Sequence, residues 1–221
     1  MDGVRFIHRT LRGMMNGVEQ ASANMDYSNE QQVGALTGQF QGLNFVLGTH
    51  IHDEDILIFP LIEKHAPDLV PNYHADHEHD REVLNRLNTL IGGLATQSPA
   101  ERAVAAEQIQ RDAVALHATS ELHMQKEEQI LYPRLNKHTS DEEQWKVLGV
   151  LYGKLPTQMF PMAAPGMMKV LNQDEREEQL RAFLKVMPAA NLKVFVEHAP
   201  KGMTPAEWQE LNRRMPALAK L

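Results

Sequence analysis

His50-Ile51-His52-Asp53-Glu54-Asp55-Ile56-Leu57-Ile58-Phe59-Pro60 returns 73 residues later as His123-Met124-Gln125-Lys126-Glu127-Glu128-Gln129-Ile130-Leu131-Tyr132-Pro133. Both copies read H-x-x-x-E-[DE]-x-[IL]-[IL]-[FY]-P, and the likeness runs on to Lys64-His65 and Lys137-His138. A histidine and a glutamate four apart lie about 6 Å from one another on one helical face. Both side chains are metal ligands, and each copy carries both. The repeat points to a metal site shared between two halves of a helical bundle.

Outward from the first copy, His50 and Glu54 continue an apolar stripe with regular 4-3 spacing: Leu36, Phe40, Leu43, Leu47, His50, Glu54, Leu57, Leu61. The spacing predicts a helix over about 30–64, opened by Ser28-x-x-Gln31 as a capping box. The second copy sits on a matching stripe of a helix over 99–137: Ala106, Ile109, Ala113, Leu116, Ser120, His123, Glu127, Ile130. Ser98-Pro99-Ala100-Glu101 supplies its start, a capping box with proline at the first helical position. In both helices the His–Glu pair stands where leucines otherwise would, so both pairs are expected to be buried. Pro60 and Pro133 fall inside the pattern and are expected to kink their helices.

Two further helices precede these. One, over 2–24, places His8 on a stripe with Leu11, Met15 and Val18. The other, over 72–91, carries Tyr73, His77, Asp80, Leu84, Leu87 and Ile91, and Gly92-Gly93 is expected to end it. His77 stands to Leu84 and Leu87 as His8 stands to Met15 and Val18. Residues 1–138 thus read as two helix pairs. The first helix of each pair gives one His, and the second gives His and Glu.

Beyond about Thr139 the composition changes. Helical patterns are expected near 141–153, 174–187, 189–197 and 205–214, with the Pro-, Gly- and Met-rich stretch 155–168 as a loop or as segments packed on the bundle. Residues 139–221 are therefore expected to be a helical C-terminal extension of unassigned role. The fold class is all-α.

Composition narrows the chemistry. The 221 residues are 43% hydrophobic but only 6% aromatic, which suits helices, and they include no cysteine. Disulfides, iron–sulfur clusters and thiolate zinc sites are excluded, leaving imidazole and carboxylate as ligands. The net charge of −7, with cations scattered among acids, argues against nucleic-acid or anionic-membrane partners. No run approaches a membrane span and no leader-like segment opens the chain. A cytoplasmic location is expected.

His8, His50, Glu54, His77, His123 and Glu127 would meet inside one bundle, as in other metal sites built from facing helices. An unpaired buried carboxylate costs several kcal/mol, and two share this interior, so a cation is expected. The near-twofold repeat makes two similar metal positions with Glu54 and Glu127 between them. Two divalent ions exceed the two carboxylate charges, so an oxo or hydroxo bridge is expected as well. Mixed imidazole and carboxylate ligation with open positions suits iron acting on dioxygen or peroxide; zinc and manganese are compatible with the same residues.

These residues resemble the hemerythrin-like, or HHE, cation-binding domain family. The resemblance rests on the early His8, on His50-x-x-x-Glu54, on Asp76-His77-Glu78, and on His123-x-x-x-Glu127 with Tyr132-Pro133. It covers about the first two-thirds of the chain and implies an antiparallel up-down four-helix bundle with a non-haem diiron centre. The oxygen carriers of that family have five histidines, two of them four apart on the third helix. Here His77 has only His74 three residues before and His79 two after, which points away from reversible oxygen carriage. His74, His117 and Tyr132 are candidates for an additional ligand or a supporting contact. The expected function is peroxide-consuming or oxygen-activating chemistry. The alternatives are an oxygen- or iron-sensing module without turnover, and a structural mononuclear zinc or iron site.

Overall fold

The computed structural model describes residues 4–220, so residues 1–3 of the first expected helix lie outside it. All the regular structure among the described residues is helical, with no strand. The first helices are α1 (Val4–Asn24) and α2 (Glu30–Asp53), and α2 passes through a π-helical turn, Glu54–Ile58, into α3 (Phe59–Glu63). Then come α4 (Val70–Gly93) and α5 (Pro99–Lys126), and a second π-helical turn, Glu127–Leu131, leads from α5 into α6 (Tyr132–His138). The C-terminal part holds α7 (Asp141–Lys154), α8 (Phe160–Val170), α9 (Gln173–Val186), α10 (Ala189–His198) and α11 (Pro205–Arg214). No helix among the described residues is long and apolar enough to cross a membrane.

Local chemistry sets most of these ends. Ser98 and Ser140 form reciprocal capping boxes with Glu101 and Glu143. The cap of α2 is Asn29 rather than the expected Ser28: its side chain accepts from the amides of Gln31 and Gln32, while Ser28 bonds to Asp26. Asn is among the strongest N-caps, and it stands one residue closer to the helix. α4 ends at Gly93, as expected from Gly92-Gly93, and a 3₁₀ turn at Leu94–Thr96 follows it.

The main departure from sequence expectation is at the two prolines. In each copy the helix widens by one residue just ahead of the proline, and the amides of Phe59 and Tyr132 donate five residues back, to the carbonyls of Glu54 and Glu127. A proline ring in a regular α-helix collides with the carbonyl four residues earlier, and a π turn relieves that collision at the cost of one extra residue. The extra residue shifts the buried stripe. Leu57, Leu61 and Ile130 were the expected core positions, but Ile58, Ile62, Leu131 and Leu135 are buried instead, and Ile130 is exposed.

The chain forms two compact units, one of residues 11–137 and the other of residues 1–10 with 138–221. In the first unit α4 packs against α2 and α5. Arg12, Glu19 and Ser22 of α1 meet Glu121, His117 and Gln110 of α5, rising numbers against falling, so these two helices run antiparallel. The same holds for α4 and α5, where Tyr73 donates to the Lys126 carbonyl, Ser120 to Asp80 and Arg86 to Asp112. Leu11, Met15, Val18, Leu36, Phe40, Leu43, Leu47, Leu84, Leu87 and Leu116 are buried, as their stripes predict. Each large apolar side chain so buried contributes about 1.5–3 kcal/mol.

The second unit has its own core, built on Phe160, Met168, Leu180, Phe183, Leu192, Phe195 and Leu211, with Phe6 from the start of α1. The stretch expected as a loop or as packed segments is largely α8, in which Phe160, Ala164 and Met168 make a buried stripe four residues apart. Pro165 lies within this helix, and a Cβ on Gly202 would fall 2.1 Å from its carbonyl oxygen, so only glycine permits the close approach there. Buried Arg176 ties the unit together, donating to the Met168 carbonyl at 2.8 Å and to Glu207 at 2.7 Å. Glu207 also caps α11, accepting from the amide and hydroxyl of Thr204. Arg176 and then Thr204 hold the Glu207 carboxyl down at about 2, against an ordinary value of 4.5. A depressed carboxyl stabilises the fold above its unfolded pKa and loses that contribution as pH falls toward its folded value. The urea midpoint followed by tryptophan fluorescence should therefore fall between pH 5 and pH 2, and less steeply in Glu207→Gln. Equal slopes would contradict this role.

Candidate metal centre

The two π turns begin at Glu54 and Glu127 and present both carboxylates to the interior, where they are almost fully buried. Widening of a helix by one residue is a recurrent device at functional sites. His50 and His123 precede them by one helical turn. Nε2 of His50 lies 3.4 Å from Glu54 Oε2, and Nε2 of His123 lies 3.3 Å from Glu127 Oε1. His77 enters from α4 and joins the two halves: its Nε2 is 3.4 Å from Glu54 Oε2 and 3.0 Å from His123 Nε2.

The result is two overlapping groups of buried ligand atoms. Glu54, His77, His123 and Glu127 each offer one atom within 4.8 Å of the others, and His50 stands in the same relation to Glu54 and Glu127. His8 is fully buried on α1, one turn ahead of Leu11. His74 and His117 lie outside both groups. His74 is half exposed and pairs with Asp55 at 3.1 Å, and His117 bonds to Glu19 at 2.5 Å. Tyr132 is buried, and its hydroxyl donates to Glu54 Oε1 at 2.5 Å.

Several contacts at the centre were not anticipated from the sequence. Asp55 lies 2.8 Å from Nδ1 of His77, and Asp76 lies 3.1 Å from Nδ1 of His123. Each carboxylate holds the Nδ1 proton, which leaves Nε2 to face the interior, the usual outer support of a metal-binding imidazole. Arg81 pairs with Asp55 and Lys126 with Asp76. Burial disfavours charge on these two carboxyls, but hydrogen bonds from His77 and Arg81, and from Lys126 and His123, hold both below the usual range. Both acids adjoin ligand-type residues in sequence, and that adjacency is the signal that could have found them. Deeper on α4, buried Asp80 accepts from Ser120 at 2.6 Å and from Thr119 at 2.9 Å, and burial pushes its carboxyl up. The ring of Phe59 stacks on His77, with centroids 4.9 Å apart.

The residues fit a cation. Glu54 Oε2 is buried without a hydrogen-bond partner, while two imidazole nitrogens face it at 3.4 Å. Two donors about 2.1 Å from one ion at right angles stand about 3.0 Å apart, which is the His77–His123 separation. The electrostatics agree. Burial works against a charged His123, yet Glu127, Glu54 and Asp76 push its pKa up to about 9. The carboxylates draw positive charge to the place where a metal ion would supply it.

Paired imidazoles and carboxylates buried between helices define a cation-binding helical domain. The chain belongs to the hemerythrin family: the sequence model of the hemerythrin HHE cation-binding domain matches residues 2–135. Among curated proteins, it is similar to zinc finger protein BRUTUS of Arabidopsis thaliana, 18% identical over 187 residues, which is 85% of this chain and 15% of that protein. Zinc finger protein BRUTUS-like At1g18910, from the same plant, is 21% identical over 183 residues, or 83% and 14%. The chain thus spans about a seventh of the length of these relatives. Both alignments are longer than the family match, so the likeness reaches into the C-terminal helices. No solved structure matches.

Proposed function

We propose that residues 1–138 form an antiparallel up-down four-helix bundle that holds two iron ions and uses them on dioxygen or peroxide, with residues 139–221 as a helical extension. The observation that carries two ions rather than one is the membership of Glu54 and Glu127 in both overlapping groups. One position takes His77 and His123 with the shared carboxylates. The other takes His50, and His8 completes it. In support, α1 buries Leu11, Met15 and Val18 on one stripe, and His8 continues that stripe, itself buried.

Iron supplies the change between its +2 and +3 states that dioxygen and peroxide chemistry requires. The chain's own residues do the rest. Asp55 and Asp76 keep the Nε2 lone pairs of His77 and His123 directed inward. Phe59, buried and stacked on His77, limits access of water there. Two imidazoles per ion and two shared carboxylates leave positions open to a small ligand. Tyr132 holds a proton at its hydroxyl beside Glu54, in surroundings that push its pKa well up through burial and the nearby Glu127 and Glu54.

Anaerobic loading with iron(II), followed by peroxide or dioxygen, tests this reading. Consumption of either oxidant faster than by an equal amount of free iron is the expected result. A rate equal to free iron contradicts it.

A further inference from the structure

The two arginines that reach the π turns obey the internal repeat. Arg12 follows His8 by four residues, and Arg81 follows His77 by four. Their partners match as well. Asp55 directly follows Glu54 and Glu128 directly follows Glu127, so the two acids hold the same place in the motif. Arg12 donates from Nη1 and Nη2 to the two oxygens of Glu128, at 2.9 Å and 3.3 Å, and from Nε to Glu121 at 2.6 Å. Arg81 pairs with Asp55 through Nη2 and with Glu78 through Nη1. Each clamp crosses from one half of the repeat to the other. One joins α1 to the turn that follows α5, and the other joins α4 to the turn that follows α2.

We propose that Arg12 and Arg81 are positioning residues, each clamping the acid beside a ligand glutamate and so holding its π turn with that glutamate directed inward. The proposal rests on the reading of the centre as a cation site. Neighbouring side chains leave a helix in directions set by one backbone, so anchoring Glu128 fixes the direction of Glu127, as Asp55 does for Glu54. Glu121 lies about two helical turns before Glu128, so Arg12 also ties the widened turn to the regular helix ahead of it. A guanidinium suits this task because it meets a carboxylate with two parallel bonds and keeps a further donor for a second acid.

Zinc(II) titration of the full chain separates positioning from mere charge. Deleting a guanidinium near a cation site favours cation binding by Coulomb's law, whereas losing a contact that orients the ligands costs about tenfold or more in affinity. Arg12→Gln and Arg81→Gln should each weaken zinc binding about tenfold or more. Arg12→Lys keeps the charge without the fork and should weaken it nearly as much. Arg86→Gln removes another forked pair of the same unit, with Asp112 at 3.2 Å and 3.3 Å, about four turns along α5 from Glu127. It should bind zinc as wild type does. Unchanged or tighter binding in either Arg12→Gln or Arg81→Gln would overturn the proposal, and so would an equal loss in Arg86→Gln.

Hydrogen exchange of the metal-free chain tests the clamps without any ion. The amide of Tyr132, which donates to the Glu127 carbonyl, should exchange faster in Arg12→Gln than in wild type. That of Phe59, which donates to the Glu54 carbonyl, should exchange faster in Arg81→Gln, and Arg86→Gln should change neither. Exchange unaltered at both amides would overturn the proposal. A wild type that takes up no zinc, with these exchange differences present, would refute the cation reading while supporting the clamps.

Discussion

Glu54→Gln is expected to leave the chain folded while removing its bound metal from both positions. Glutamine matches glutamate in size, and its carbonyl can still accept from Tyr132. The substitution removes one of only two carboxylates that belong to both ligand groups, and it places an amide nitrogen or a neutral oxygen before His50 and His77. A neutral side chain there no longer compensates a divalent charge. Metal held at a thousandfold excess over its dissociation constant adds about 4 kcal/mol of stability per ion, which for a domain of this size is about 10 °C in Tm. That metal-dependent increment should vanish in the variant. The Tm of the metal-free chain should hold or rise, because a buried carboxylate has been neutralised. Metal content equal to wild type would remove Glu54 from the ligand set.

The second large effect lies in the C-terminal unit. Phe183 is almost completely buried, with ring centroids 4.8 Å from Tyr152 and 4.9 Å from Phe195, both edge to face. Phe183→Ala removes this shared ring and leaves a cavity that its aromatic neighbours cannot collapse into, so a loss of about 3–5 kcal/mol is expected. Both tryptophans of the chain, Trp145 and Trp208, belong to residues 138–221, so their fluorescence reports on this unit. The urea midpoint followed in that way should drop steeply. A shift equivalent to less than about 1 kcal/mol would mean that Phe183 is not central to this core.

Much of the site could be read from the sequence because ligands in a helical bundle obey the same periodicity as its core. His50, Glu54, His77, His123 and Glu127 are buried where the 4-3 stripes put them, and Ser98 caps its helix as its pattern requires. The errors were local and had local causes. The stripe was carried one residue out of phase past Glu54 and Glu127, because a π turn ahead of the proline that follows each glutamate takes up one extra residue. The signal was present in both copies, but periodicity alone does not count an inserted residue. The proline and glycine content of residues 155–168 suggests a loop or packed segments, although Phe160, Ala164 and Met168 form a buried helical stripe and the missing amide of Pro165 costs only one bond. Asp55 and Asp76 stand in the quoted motifs but receive no role there, because adjacency to a ligand-type residue does not say which imidazole a carboxylate supports. Its partner is set by tertiary packing, as in the pairing of Asp76 with His123 across two helices.

We propose that one buried centre holds two ions that share Glu54 and Glu127. Elemental analysis of the aerobically purified chain, together with its visible and near-ultraviolet absorption spectrum, tests it most directly. Two iron ions per chain and the charge-transfer bands of oxygen-bridged iron(III) are expected. One ion per chain, or a zinc-containing protein without such bands, would contradict it.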